Sequence, residues 1–310
     1  MPLADPRPPL IVILGPTAVG KTAISIELAQ RLDAEIISVD SRLFYRGMDI
    51  GTAKPTFHER RTVPHHLIDV ADPDETWSLA LFQHQAMDII EDIHAKGRLP
   101  FLVGGTGQYI RAITEGWNIP EQAPDESMRN ALEAWGSKIG ADGLYQRLQV
   151  LDSNAAANID ARNLRRTVRA LEVTLRTGVR FSEQRQKGEA PYNVLQIGLT
   201  RPRPELYERI DQRIENMLTN GFVGEVQALL DKGYSRDIPS MSAIGYTQIA
   251  AHLQGETTLE EAVVEIKRLT RQFVRRQANW FKPTDPDIHW FEMGNDTGDA
   301  VEDTVRSFIR

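Results

Sequence analysis

The stretch Gly15-Pro16-Thr17-Ala18-Val19-Gly20-Lys21-Thr22 constrains this chain more than any other. It has the spacing G-x-x-x-x-G-K-[ST], and its flanks suit that spacing. Leu10 to Leu14 is a non-alternating, β-branched apolar run, as in a strand buried on both faces of a parallel sheet. Thr22 to Leu32 has helical spacing, with Ile24, Leu28 and Leu32 on one side. Between strand and helix, glycines let the backbone wrap phosphate oxygens while N–H groups and the helix N-terminus face the anion. Lys21 adds a point charge, and the Thr22 hydroxyl can hold Mg²⁺. The motif implies a bound di- or triphosphate, ATP included, and leaves the chemistry open.

The remaining pattern predicts an α/β fold. Strands are expected at Glu35–Val39, His66–Val70 and Pro100–Val103, with a Ser78-capped helix over Ser78–Lys96. Strand, loop and helix in this alternation imply a P-loop NTPase-like parallel sheet flanked by helices. From Pro120 to Ala190 the patterns turn helical, at Asp125–Trp135, Gly143–Val150 and Arg162–Arg176, which predicts a mainly helical insertion domain. Val194–Leu199 returns to the sheet. Helices follow at Pro204–Leu218, Phe222–Lys232 and Leu259 to about Trp280, then an edge strand at Ile288–Phe291. The expected division is residues 1–118, the first part of the core; 119–190, the insertion; and 191–310, the second part with a basic helix. Nucleotide hydrolases hold Mg²⁺ with an acid at the end of a later apolar strand. Here that strand runs into Gly104-Gly105-Thr106-Gly107, which has none, and Asp69 is the candidate substitute. The strand-end acid nearest the loop in sequence is Asp40. Adjacent parallel strands share a crevice at their C-terminal ends, so Asp40 is expected beside the phosphates.

The 310 residues include no cysteine, which excludes disulfides, thiolate catalysis and Cys-based zinc sites. No apolar run approaches the roughly 18 residues of a membrane span. Met1 to Pro9 lacks the apolar core of a signal peptide, so a cytoplasmic protein is expected. The net charge of −7 argues against a polyanion partner on average, yet it hides two basic stretches. Asp160 to Lys187 holds Arg162, Arg165, Arg166, Arg169, Arg176, Arg180, Arg185 and Lys187 against three acids. Glu265 to Lys282 holds Lys267, Arg268, Arg271, Arg275, Arg276 and Lys282 against one. Such stretches suit either polyanion contact or solvated helix faces. His65 and His66 alternate faces on a strand and make a poor joint metal site. Trp77, Trp117 and Trp135 read as core or hinge residues, and Trp280 as a core residue packing its helix or as one near RNA.

Together, the phosphate loop, Ile37-Ser38-Val39-Asp40-Ser41, Tyr45-Arg46-Gly47-Met48-Asp49-Ile50-Gly51-Thr52-Ala53-Lys54-Pro55 and Leu102-Val103-Gly104-Gly105-Thr106-Gly107 closely resemble the tRNA dimethylallyltransferase family, bacterial type. Arg169–Val173, Ile244-Gly245-Tyr246 and the run from Thr270 to Phe281 extend the match in family order. The resemblance implies transfer of a dimethylallyl group from dimethylallyl diphosphate to N6 of the adenosine just 3′ of the anticodon, with Mg²⁺ assisting. It implies Asp40 as general base and Thr106 as a second catalytic residue. Gly15 to Thr22 and Arg213 would grip the diphosphate. Against the anticodon stem-loop it places Asp40, Ser41, Arg42, Leu43, Arg129, Arg165, Arg166, Arg169, Ser242, Gly245, Tyr246, Arg271, Arg275, Arg276, Gln277 and Lys282. A monomer with no membrane association is expected. The rivals are an isopentenyltransferase acting on free AMP, ADP or ATP, a P-loop small-molecule kinase, and a non-catalytic RNA-binding protein.

Overall fold

The computed structural model describes residues 5–119, 125–184 and 188–310. In chain order the elements are β1 (Pro9–Leu14), α1 (Lys21–Leu32), β2 (Ala34–Val39), α2 (Phe57–Thr62), β3 (His65–His66), α3 (Leu79–Ala95), β4 (Leu99–Gly104) and α4 (Gly107–Thr114). Then come α5 (Glu126–Leu151), α6 (Ser153–Ala157), α7 (Leu164–Thr177), α8 (Phe181–Gln184), β5 (Asn193–Thr200), α9 (Arg203–Thr219) and α10 (Phe222–Asp231). The chain closes with α11 (Tyr246–Leu253), α12 (Leu259–Gln277), β6 (Ile288–Glu292) and α13 (Thr297–Phe308).

The strands form one six-stranded sheet of order β3-β2-β4-β1-β5-β6, parallel at every pairing. β1, β2 and β4 are buried almost throughout, which explains their unbroken apolar runs. β4 lies between β1 and β2, so the strands carrying the phosphate loop and Asp40 are not neighbours as expected. The third strand is also shorter than expected. It stops after His66 because Leu67 (φ 58°) and Asp69 (φ 57°) turn left-handed and cannot continue a ladder. Asp69 instead accepts hydrogen bonds from Lys54 Nζ and Arg60 Nη1, both 2.6 Å. Burial opposes its charge, but these two cations outweigh that effect and hold its pKa below the usual carboxylate range. It is committed to that clasp and is not a strand-end metal ligand. Sequence periodicity missed α4, α11 and α13 as well as the short α2, α6 and α8.

The chain divides into two compact units. One comprises the described residues up to Trp77, with Phe82–Thr114 and Ala190–Arg310; the other comprises Ser78–Leu81 and Glu115–Glu189. The first has its core on the sheet, where Ile11, Ile13, Leu28, Phe101, Ile197 and Tyr246 pack together. The second has its own core of Leu132, Leu144, Leu148, Val168 and Leu171, drawn from α5 and α7. In α5, Gly140 (φ 79°) breaks the helix between the two segments that the sequence pattern separates. Among the described residues no helix is long and apolar enough to cross a membrane.

Candidate active site

The loop between β1 and α1 is a strained cradle. Ala18 sits at φ 65°, where side chains are rarely found, and Gly20 precedes α1 at φ 117°. Surrounding arginines hold the strained turn: Arg201 Nε donates to Val19 O (2.8 Å) and Arg209 Nε to Ala18 O (2.9 Å). Lys21 Nζ donates to the carbonyls of Gly15 (3.0 Å) and Pro16 (2.9 Å). Part of the Lys21 side chain is reachable from the cavity, but its ammonium is enclosed by protein. That enclosure pushes its pKa down to about 8; Asp40 opposes the shift and Arg213 adds to it.

A cavity of about 320 Å³ opens over this loop. Thr17, Lys21, Thr22, Asp40, Gly104, Gly105, Arg209 and Arg213 line it. A second cavity of about 270 Å³ shares Thr17, Asp40, Thr52 and Arg213 with the first. Its remaining wall is largely apolar, from Ile210, Ile214, Met217, Phe222, Ile244 and Phe273. Asp40 reaches the first cavity although β2 is two strands from β1, because Gly104 at the end of the intervening β4 projects nothing. A side chain there would strike Val39 O, 2.5 Å from the position of its Cβ. Asp40 Oδ1 accepts the Arg42 N–H (3.0 Å), so a tight turn fixes the orientation of the carboxylate. Arg213 Nη2 donates to Thr52 O (3.1 Å), and burial lowers its pKa against the pull of Asp40.

The turn after β4 is glycine-rich because the end of α12 lies against it. A Cβ on Gly105 would fall 2.3 Å from Gln277 Nε2, and one on Gly107 would fall 2.5 Å from the Trp280 indole. Trp280 is therefore not a core residue as expected. It is 38% exposed, lies on Gly107, and carries the Arg111 guanidinium 5.7 Å above its ring. Trp135, at 40% exposed, also departs from a core reading. Thr106, half-buried, directly follows the cavity-lining Gly105 and precedes α4.

Of the residues expected at tRNA, the structure leaves some open and commits others elsewhere. In the sheet unit, Arg275, Arg276 and Lys282 are exposed, Ser41 is half-buried and Leu43 lines the first cavity. Arg42 is tied to the carbonyls of Pro239 and Ser240 and to Ser242 Oγ (2.9, 3.3 and 3.2 Å). Arg271 is held by Asp211 through both carboxylate oxygens (2.9 and 2.6 Å) and stacks on Tyr207. Gly245 lies against Phe222 at φ 102°. Tyr246 is wholly buried and its hydroxyl donates to Glu225 Oε1 (2.6 Å), so its side chain has no surface to offer RNA. Gln277 is 6% exposed and faces the phosphate loop. In the helical unit, Arg165 and Arg166 are exposed, and neither forms an ion pair among the described residues. Arg129 and Arg169 instead pair with the fully buried Glu172 (3.0 and 3.1 Å), because a buried carboxylate requires cations. Arg185 and Lys187 lie outside the described residues.

Sequence reading missed Arg201, Arg209 and Glu225. The four-residue steps Glu205, Arg209 and Arg213 along α9 could have shown that Arg209 and Arg213 share one face; Arg201 precedes the helix. No local signal marks Glu225, whose backbone partners Asp49, Ile50 and Gly51 lie 174 to 176 residues away.

Among the described residues no group of three or more His, Asp or Glu could hold a metal ion. His66 Nε2 instead meets Glu35 (2.7 Å) and His65 Nδ1 meets Val63 O (2.8 Å). Among the described residues, the side chains lining the cavity include the Thr22 hydroxyl and the Asp40 carboxylate, with Glu59 a further carboxylate. That set fits Mg²⁺ carried on a diphosphate, because the ion keeps most of its ligands as phosphate oxygens and water.

Two family models match the chain: Isopentenyl transferase over residues 8–69 and IPP transferase over residues 43–284. A tRNA dimethylallyltransferase of Roseiflexus sp. (strain RS-1) is 54% identical over 274 residues, covering 88% of this chain and 90% of the relative. Among solved structures, the full-length tRNA isopentenylpyrophosphate transferase from Bacillus halodurans matches with TM-score 0.72 and 43% identity, over 97% of this chain and 96% of the other. A eukaryotic dimethylallyltransferase acting on tRNA matches with TM-score 0.82 and 28% identity, over 97% of this chain and 79% of the other. With the phosphate loop, the Asp40 turn and the glycine turn after β4 all inside the matched span, the chain belongs to the IPP transferase family.

Proposed function

We propose that this protein transfers a dimethylallyl group from dimethylallyl diphosphate to the N6 amine of the adenosine just 3′ of the tRNA anticodon, releasing diphosphate. The observation that carries this reading is the position of Asp40. It stands where a cavity bounded by Lys21 and Arg213 meets one walled by apolar side chains. An allylic diphosphate has those two ends, and the bond that breaks lies between them. As the carbon–oxygen bond breaks, its electron pair leaves with the diphosphate, where Lys21, Arg213 and the loop N–H groups stabilise the developing charge. The N6 lone pair forms the new carbon–nitrogen bond. It is a weak nucleophile, delocalised into the ring, and its proton passes to the Asp40 carboxylate. Thr22 would help to hold Mg²⁺, which when bound would neutralise further charge on the leaving group. Thr106, which follows the cavity-lining Gly105, is the second catalytic residue in this reading.

The glycines that end β4 and the commitment of Asp69 to Lys54 and Arg60 count against a kinase. Exposed Arg165, Arg166, Arg275, Arg276 and Lys282 favour an RNA acceptor over a free nucleotide. The test offers labelled dimethylallyl diphosphate and Mg²⁺ with unmodified tRNA, AMP or ATP in parallel. Label is expected in tRNA; label in AMP or ATP alone would reject the reading. Asp40→Asn should lower turnover by at least about 100-fold with tRNA affinity kept. Normal turnover would remove Asp40 as the base.

A further inference from the structure

We infer that Gln277 is a positioning residue, whose single carboxamide sets the diphosphate loop and the Gly105-Thr106 turn at a fixed separation. The inference rests on the prenyl-transfer reading above. Gln277 Oε1 accepts the Thr17 N–H at 2.9 Å, and Gln277 Nε2 donates to Gly105 O at 3.3 Å. One bond ends on the loop that would grip the leaving group. The other ends on the residue before Thr106. At 6% exposed, the side chain is held in a buried setting where each unmade hydrogen bond costs free energy.

The chemistry selects glutamine. The carboxamide is both acceptor and donor, and this position needs one of each. A glutamate could accept from Thr17 but would set a carboxylate against the Gly105 carbonyl and beside the diphosphate. An apolar side chain of similar size would leave both backbone groups unpaired. Gly105 fits the same account, since a Cβ there would fall 2.3 Å from Gln277 Nε2 and push the amide away. Trp280 on Gly107 anchors the next turn of chain against the same element, so the carboxamide is registered from both sides. Gln277 lines the first cavity but lies on the inner face of α12, while its neighbours Arg275 and Arg276 are exposed. It is therefore separated from the RNA-binding role that a basic helix suggests for the whole segment.

The experiment measures KM for dimethylallyl diphosphate and KM for tRNA separately, in the full chain and in Gln277→Met and Gln277→Glu. Gln277→Met keeps the volume and removes both hydrogen bonds. It should raise KM for dimethylallyl diphosphate by about fivefold or more, leaving KM for tRNA within about twofold. Gln277→Glu should raise it further. A merely structural loss would shrink the active fraction and lower kcat with neither KM moved, and that pattern overturns the inference. A rise confined to KM for tRNA overturns it too, because Gln277 would then be an RNA contact. Should the unmodified protein transfer no label, the prenyl-transfer reading fails and this inference falls with it. Transfer by the unmodified protein with an unchanged diphosphate KM in both variants overturns the inference alone.

Discussion

Lys21 is a cation that the fold makes easy to deprotonate. Enclosure and the neighbouring Arg213 hold its pKa down to about 8, with Asp40 opposing them. The sign of the consequence is fixed: the group grips a diphosphate only as an ammonium, and it loses its proton as pH rises through 8. A bound diphosphate favours the ammonium, so above that pH binding must take up a proton. Affinity for dimethylallyl diphosphate should then fall by up to about tenfold per pH unit. Titration calorimetry from about pH 7 to 9.5 checks this, and a flat affinity would show that Lys21 does not carry the grip. The Asp40 carboxylate caps its own turn by accepting the Arg42 N–H, and that bond orients it where it lines both cavities.

At the scale of elements, α10 shapes the loop that follows β2. The Glu225 carboxylate accepts three successive backbone N–H groups, from Asp49 (2.8 Å), Ile50 (2.7 Å) and Gly51 (3.1 Å), as well as the Tyr246 hydroxyl. Gly51 must lack a side chain, because its Cβ would fall 2.1 Å from Phe222. The next residue, Thr52, presents its carbonyl to Arg213. A helix distant in sequence thereby folds the most family-specific stretch of the chain around one carboxylate and sets the arginine expected at the diphosphate. Tyr246→Phe removes a hydrogen bond to a charged group and should destabilise the protein by about 1.5–3 kcal/mol in urea unfolding. A variant of unchanged stability with weakened tRNA binding would restore Tyr246 to the RNA surface.

For the molecule as a whole, charge is the property that local structure leaves least altered. The chain carries −7 overall, yet α7 exposes Arg165, Arg166 and Arg176, and the end of α12 exposes Arg275 and Arg276. Phosphate contacts release counterions, so each one steepens the fall of affinity with salt. Reversing Arg166 and Arg276 together should weaken tRNA binding and reduce the slope of log affinity against log salt by about one per lost contact. An unchanged slope would return both to solvated surface. The same change at Arg129 or Arg169 should act through stability instead, since each holds the buried Glu172.

The sequence by itself determined the phosphate loop, the alternation of strands and helices, the helical segment after Trp117 and the family resemblance. Each depends on residues close together in the chain, where periodicity and spacing are direct consequences of backbone geometry. Tertiary structure alone decided that β4 separates the Asp40 strand from the loop strand. It also shortened the third strand, sent Arg129, Arg169 and Arg271 to buried or facing carboxylates, and turned Tyr246 and Gln277 inward. Apart from Arg169, whose partner Glu172 is three residues on, these charge and burial outcomes depend on partners tens to hundreds of residues away, and a basic or amphipathic run reads alike whether its charges meet water, RNA or an acid. The loop Gly15 to Thr22 was legible at once; the arginines and the glutamine that hold it were not.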